Sequence, residues 1–210
     1  MPLLAAAATP TTPLRRRTSH DFCTTNIPMV SLTVPISYKR RMTLIVSARG
    51  SIGRAVFRSQ IYRCAIGRSG ISADKTEGDG VSPIGDYDLT KVLFRSDRGV
   101  RPVTPIAVDP ISANDGWCDD ANHEDYNMKV TLPHAASCEK LWRSDELYDI
   151  VVTTTHNSEP VIPGAGSAIF VHLVSGPDYP PTEGCIAFAR NDLELILRNW
   201  VPGKDRLVID

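Results

Sequence analysis

The side chains with the greatest chemical reach lie in GSAIFVHLVSGPDYPPTEGCIAFARNDL, residues 166–193. His172 stands in an otherwise apolar run, and Cys185 follows it directly after Thr182-Glu183-Gly184. A thiol is a nucleophile only as thiolate, and a neighbouring imidazole can take its proton. Gly184 lets backbone come close to a reacting carbonyl, and the N–H groups around Gly184 and Cys185 are candidate oxyanion donors, with Thr182 supporting the same turn. Taken as an isolated pair, an inert buried cysteine and a core histidine satisfied by its neighbours are the more ordinary occurrence. The chemistry on offer is nucleophilic catalysis by cysteine, provided that the fold brings the two side chains together.

For them to meet, the strand expected over Ser167–Val174 must pair with the segment that begins near Cys185, across a Pro-rich turn through Gly176, Pro177, Pro180 and Pro181; a hairpin is the expectation. Asp149–Thr155 is rich in β-branched residues and predicts a buried strand. Upstream, Thr43–Ala48, a turn at Gly50-Ser51-Ile52-Gly53, then Arg54–Phe57 and Ile61–Ile66 read as a meander. KTEGDGVSPIGDYDL is a loop leading into a strand at Tyr87–Phe94. The stretch from Pro102 to Arg143 is loop-rich, and SCEKLWRSDELY predicts one or two helical turns. Asn191 or Asp192 can cap a short helix over Leu193–Trp200, and Arg206–Ile209 reads as a closing strand. The fold class expected is mainly β, with one or two short helices.

Composition narrows the functions. The 210 residues hold 23 basic and 24 acidic side chains, a net charge of −1, which leaves no global field to steer the chain toward nucleic acid or an anionic membrane. Five cysteines form no CxxC pair, and their odd number leaves at least one thiol free or paired between chains. Residues 1–41 are rich in Pro, Thr and Arg and show neither amphipathic period, so they read as a leader or flexible tail ahead of a domain at 42–210. The short apolar run Leu3–Ala8 precedes Arg15, Arg16 and Arg17, the reverse of the order in an export signal. No apolar run approaches the ~20 residues of a membrane-spanning helix.

The text around the pair is more specific than the pair itself. His172, a gap, and Thr182-Glu183-Gly184-Cys185 resemble the signature of the YkuD-type L,D-transpeptidase family of bacterial cell-wall enzymes. Residues 66–89, IGRSGISADKTEGDGVSPIGDYDL, are similar to its opening stretch. Gly116-Trp117-Cys118-Asp119-Asp120, Tyr126-Asn127, Leu141-Trp142-Arg143, Leu147-Tyr148-Asp149 and the run Gly166–His172 resemble one proteobacterial branch with Thr-x-Gly-Cys. Glu183 stands where many members have His, and the first Arg after the nucleophile is Arg190 rather than one directly following the branched residue.

The resemblance implies a YkuD-like β-sandwich and a periplasmic enzyme of cell-wall biogenesis and cell shape that acts on peptidoglycan stem peptides as donor and acceptor. Cys185 would attack an L,D peptide bond, His172 would serve as base and then as acid, and a second stem's amine would resolve the thioester. The link is either 3–3, between diaminopimelates, or 1–3, from L-Ala to diaminopimelate. Carbapenems are expected inhibitors, and no cofactor, metal or nucleic acid is required. An L,D-carboxypeptidase or amidase, with water as acceptor, is the alternative enzyme; a non-catalytic wall-binding module is the alternative outside enzymes. Candidate substrate contacts are His156 and Asn157, an Asn/His turn being the other reading, Tyr126, Asn127 and Trp117 as a cap, Glu183, and Arg190.

Cys118, His123, His134 and Cys138 give C-x4-H and H-x3-C, looser than the paired spacings of structural zinc sites. The resemblance asks for no ligand at His134 or Cys138, so no metal is expected, and a Cys118–Cys138 disulfide is the favoured alternative if the protein is exported. Lys75 with Gly78-Asp79-Gly80 lacks the GK[ST] ending of a P-loop and reads as a turn under the site.

Overall fold

The computed structural model describes residues 43–50 and 52–210. The expected leader, with Cys23 and the proposed start at Met42, lies outside them. Fifteen strands and one helix are described. In chain order they are β1 (Thr43–Arg49), β2 (Ile52–Phe57), β3 (Gln60–Ala65), β4 (Ile71–Ser72), β5 (Ser82–Pro83), β6 (Gly85–Tyr87), β7 (Leu89–Phe94) and β8 (Val108–Pro110). There follow β9 (Asp115–Cys118), β10 (Lys129–Thr131), β11 (Cys138–Lys140), β12 (Ile150–Thr154), β13 (Phe170–Leu173), β14 (Ile186–Phe188), α1 (Arg190–Arg198) and β15 (Arg206–Ile209).

Ten strands form one mixed sheet in the order β6-β15-β1-β2-β3-β14-β13-β12-β7-β8; β10-β9-β11 form a small second sheet, and β4-β5 a third. The meander expected from the sequence is β1-β2-β3. Its β2–β3 turn holds Arg58 and Ser59 at positive φ (49° and 66°), the conformation of a two-residue primed turn. Arg58 is fixed there by Asp205 at 3.0 Å and by the Phe57 ring beneath its guanidinium.

Period-two burial places Leu44, Val46, Ala55, Phe57, Tyr62 and Cys64 on one face. The large sheet curls so that Val92 of β7, Val108 of β8 and Val152 of β12 join the same core, which gives a mainly β, sandwich-like fold. Helix α1 closes this core with Leu193, Ile196 and Leu197, and Trp200 stacks on Phe57 at 5.7 Å. The helix begins three residues earlier than the sequence suggested. Its N-cap is Ala189, without a side-chain cap, while Asp192 in the first turn and Arg198 in the last complement the helix dipole.

A second core lies on the other face of β7, β12, β13 and β14, where Leu93, Val151, Phe170 and Cys185 meet Ile111, Leu141, Tyr148 and Ala168. These central strands are therefore covered on both faces, and β13 and β14 are buried at every position.

Two expectations fail here. SCEKLWRSDELY forms no helix: Cys138–Lys140 pairs with β9 and the Leu141 N–H donates to Asp115 O at 3.0 Å. Pairing across the small sheet outweighs a weak local helical preference, because it buries Leu141 completely. The segments bearing His172 and Cys185 form a parallel pair, Val171 opposite Ile186 and His172 opposite Ala187, rather than a hairpin. The intervening Pro-rich residues are thus a crossover of about a dozen residues, the minimum for parallel neighbours.

Candidate active site

Because Val171 and Ile186 are partners, Phe170 and His172 on β13 share a face with Ala187 and with Cys185, just before β14. Val171, Leu173, Ile186 and Phe188 fill the first core, so that shared face looks into the second. There His172 and Cys185 line one cleft of about 620 Å³, with Lys75, Glu77, Glu139, Arg143 and Tyr148 among its other walls.

The thiol is held by backbone on two sides. Cys185 Sγ donates to Ala168 O at 3.1 Å and accepts from the Phe170 N–H at 3.3 Å. Burial and then the nearby Glu139 charge push its pKa up to about 12, against the smaller pull of the Phe170 N–H and Lys75. His172 Nδ1 lies 2.7 Å from Leu173 O. A carbonyl only accepts, so Nδ1 carries the proton and the Nε2 lone pair is the basic site. Burial brings the imidazole down to about 4, with the Leu173 bond opposing. At neutral pH the resting pair is thiol and neutral imidazole.

The turn before Cys185 is built by Thr182. Its Oγ1 donates to Cys185 O at 2.6 Å and accepts from the Gly184 N–H at 3.2 Å, while its backbone bridges Ile66 and Arg68. Ser82 Oγ donates to Gly184 O at 2.8 Å and accepts from the Gly67 N–H. Gly184 sits at φ +136°, and a Cβ there would lie 2.8 Å from Val81 O and 3.1 Å from Ile169 Cδ1. Only glycine fits.

Glu183 also lines the cleft, but is largely exposed and pairs with Arg68. The loop expected beneath the site contributes Lys75, Glu77 and Gly78 to the cleft. Asp79 organises it, accepting from Lys75 and from the N–H groups of Thr76 and Val81. Although burial raises the Asp79 carboxyl, these bonds and the Lys75 charge hold it down at about 2.

The remaining candidates do not line the cleft. Asn127 is a buried hub at φ +58°: its Oδ1 accepts from Trp117 Nε1 at 2.9 Å and from the Ala168 N–H at 3.0 Å, and its Nδ2 donates to His156 O and Asn157 O. Trp117 sets its ring edge-on to Phe170 at 4.9 Å. Asn157 ties off its own loop through Ile162 and Gly166, and His156 Nε2 contacts Ala165 O at 3.0 Å. Tyr126 is buried, donating to Glu77 and accepting from the Gly166 N–H. Together these five hold the segment leading into β13, and Ala168 within it is the thiol's own acceptor. Arg190 lies at the far end of β14, which runs away from Cys185 at about 3.3 Å per residue; it binds Asp149 at 2.7 Å.

Arg143, Glu139, Tyr148 and Lys75 are cleft residues not singled out from the sequence as site residues. Tyr148 donates to Glu139 Oε1 at 2.6 Å and packs its ring against His172 at 5.3 Å. Arg143 and Tyr148 sat inside the quoted motifs, the one signal that pointed to them.

The family profile of the YkuD L,D-transpeptidase catalytic domain matches residues 34–209. The chain belongs to this family. Among solved structures it is similar to Bd1075 of Bdellovibrio bacteriovorus, at 15% identity and a TM-score of 0.40, over 81% of this chain and 48% of that one. The chain thus spans about half the length of that protein. No curated protein sequence matches it. No helix among the described residues is long and apolar enough to cross a membrane.

Proposed function

We propose that this YkuD-family domain is a periplasmic peptidoglycan L,D-transpeptidase that works through a thioester on Cys185. The observation that carries the reading is the presence of His172 and Cys185 on one face of neighbouring parallel strands, opening into one cleft. Both groups rest neutral, so the thiolate forms as the donor carbonyl arrives: the proton passes from Sγ to His172 Nε2 while sulfur bonds to the carbonyl carbon. His172 then protonates the leaving amine as the C–N bond breaks. An amine from a second stem attacks the thioester, and the proton it loses returns by way of His172 to sulfur.

The Gly184 N–H is committed to Thr182 Oγ1, which leaves the Cys185 N–H as the oxyanion donor of the pair. The cleft walls carry both signs, Lys75 and Arg143 against Glu77, Glu139 and Glu183. This mixture suits a stem peptide bearing carboxylates and an ammonium, as diaminopimelate does. Both L–D bonds, diaminopimelate to D-Ala and L-Ala to D-Glu, fit such a cleft, so the product is a 3–3 or a 1–3 link.

Purified protein treated with a carbapenem is expected to carry one covalent adduct, on the Cys185 peptide. Incubation with disaccharide tetrapeptide and tripeptide, with sequencing of the dimers, names the link. Shortened monomers without dimers would replace transpeptidation by L,D-carboxypeptidase activity. Neither adduct nor product would leave a wall-binding module.

A further inference from the structure

Away from the cleft mouth, the small sheet gathers thiols and imidazole that the proposed reaction does not use. The antiparallel β9–β11 register sets Cys138 directly opposite Cys118, and both are free thiols. His134 reaches the same point from the loop before β11, its Nδ1 3.5 Å from Cys138 Sγ. The two Sγ atoms and a His134 nitrogen all lie within 4.8 Å of one another. In a tetrahedral zinc site, bonds of about 2.3 Å to sulfur and about 2.0 Å to nitrogen put neighbouring donors roughly 3.5–3.8 Å apart. The Cys138–His134 separation already has that length.

We infer that Cys118, Cys138 and His134 bind one zinc ion, with Asp125 as the carboxylate that orients the histidine. Asp125 Oδ2 lies 3.1 Å from His134 Nε2. That contact puts the ring proton on Nε2 and turns the Nδ1 lone pair toward the thiols, the arrangement found behind histidines that ligate metals. The Ala136 N–H, which approaches Nδ1 at 3.2 Å, is the bond the metal displaces. Three protein donors leave the fourth tetrahedral position to water, since no further carboxylate, thiol or imidazole among the described residues lies within 4.8 Å of all three.

A soft donor pair with one imidazole selects zinc over the hard divalent cations. A disulfide between the same cysteines would leave the His134–Asp125 arrangement without a purpose. Binding releases both thiol protons to solvent and involves no change of oxidation state. The ion would tie β11 to β9. Glu139 follows Cys138 on β11 and holds Tyr148 against His172, so the site would stiffen one wall of the cleft.

The test uses the full chain, reduced, stripped with chelator and titrated with zinc alone, and read by elemental analysis and a competing chromophoric chelator. One zinc per chain is expected, with cobalt giving a thiolate charge-transfer band. Cys138→Ser should abolish both. Asp125→Asn should weaken zinc affinity by about 10–100-fold, whereas Cys64→Ser, in the first core, should retain full stoichiometry. Absence of zinc uptake by the reduced chain would overturn the inference. So would Cys138→Ser binding as tightly as the parent, or a native chain lighter by two hydrogens that takes up no zinc once reduced.

Discussion

Asn127 is the residue whose loss should be felt furthest from where it stands. It makes four hydrogen bonds, of 2.9 Å from Trp117 Nε1, 3.0 Å from the Ala168 N–H, 3.1 Å to His156 O and 2.8 Å to Asn157 O. In Asn127→Ala the Ala168 N–H is left buried and unpaired, at about 2 kcal/mol, and the three partly buried partners lose roughly 1 kcal/mol each. Asparagine also tolerates positive φ better than alanine, adding about 1 kcal/mol. The sum, ~6 kcal/mol, is a large share of the roughly 5–15 kcal/mol of a typical domain. At about 2–4 °C per kcal/mol, Tm should fall by roughly 12–24 °C. Asn127→Asp keeps both acceptor bonds but sets a carboxylate oxygen against the His156 and Asn157 carbonyls, so its Tm should also fall well below wild type. Thermal unfolding followed by circular dichroism measures this. Because Ala168 O accepts the Cys185 thiol, iodoacetamide should label Cys185 faster in the alanine variant at a temperature where it remains folded. A fall in Tm of under about 4 °C, with unchanged labelling, would refute the role of Asn127 as a hub.

Further outcomes follow from the same geometry. With the Cys185 pKa near 12, its alkylation should accelerate about tenfold per pH unit from roughly pH 7 to pH 10 without a plateau; a plateau near neutrality would mean a resting thiolate–imidazolium pair. The His172 pKa is lowered from 6.5 to about 4, so above the unfolded value neither state binds its proton, and as pH falls toward the folded value only the unfolded chain does. Stability should therefore decline by up to ~3 kcal/mol across that window. His156, also lowered by burial, acts in the same direction, so the contribution of His172 is the part of the slope in urea midpoint lost in His172→Gln. Gly184→Ala should lower Tm and carbapenem acylation together, since its Cβ meets Val81 O at 2.8 Å; wild-type acylation would contradict the tight turn. Arg68→Ala removes an ion pair whose partners are 44% and 79% exposed, and should shift stability by less than about 1 kcal/mol.

Local pattern carried much of the fold. The β1–β3 meander, the β-branched β12 and the closing β15 each announce themselves by alternation or by a run of branched residues. Tyr87–Phe94 was legible as extended, although the chain divides there into β6 and β7. What the sequence could not show was long-range pairing. Nothing local in SCEKLWRSDELY signals that Cys138–Lys140 will lie beside β9. The parallel sense of β13 and β14 depends on where a crossover passes, which no residue type encodes.

The same division runs through the site. His172 and Cys185 stand out by chemistry and motif, and the cleft contains both. Asn127, His156 and Asn157 were expected near substrate, but their hydrogen bonds are spent on backbone and, for Asn127, also on the Trp117 indole. Lys75 was legible as part of a turn under the site, whereas Glu139 sat in an expected helical stretch and reaches the cleft only because β11 pairs with β9. The Cys118, His134 and Cys138 cluster was discounted for its spacing, and it comes together through register rather than through sequence proximity.

The central claim is that Cys185 carries the acyl group during the reaction. Mixing the protein with a disaccharide tetrapeptide donor without acceptor, quenching in acid and mapping peptides by mass spectrometry tests it directly. The account predicts a hydroxylamine-labile acyl adduct on the Cys185 peptide, absent from Cys185→Ala, which should still fold. Cross-linked product from Cys185→Ala, or an adduct on any other residue, would contradict it.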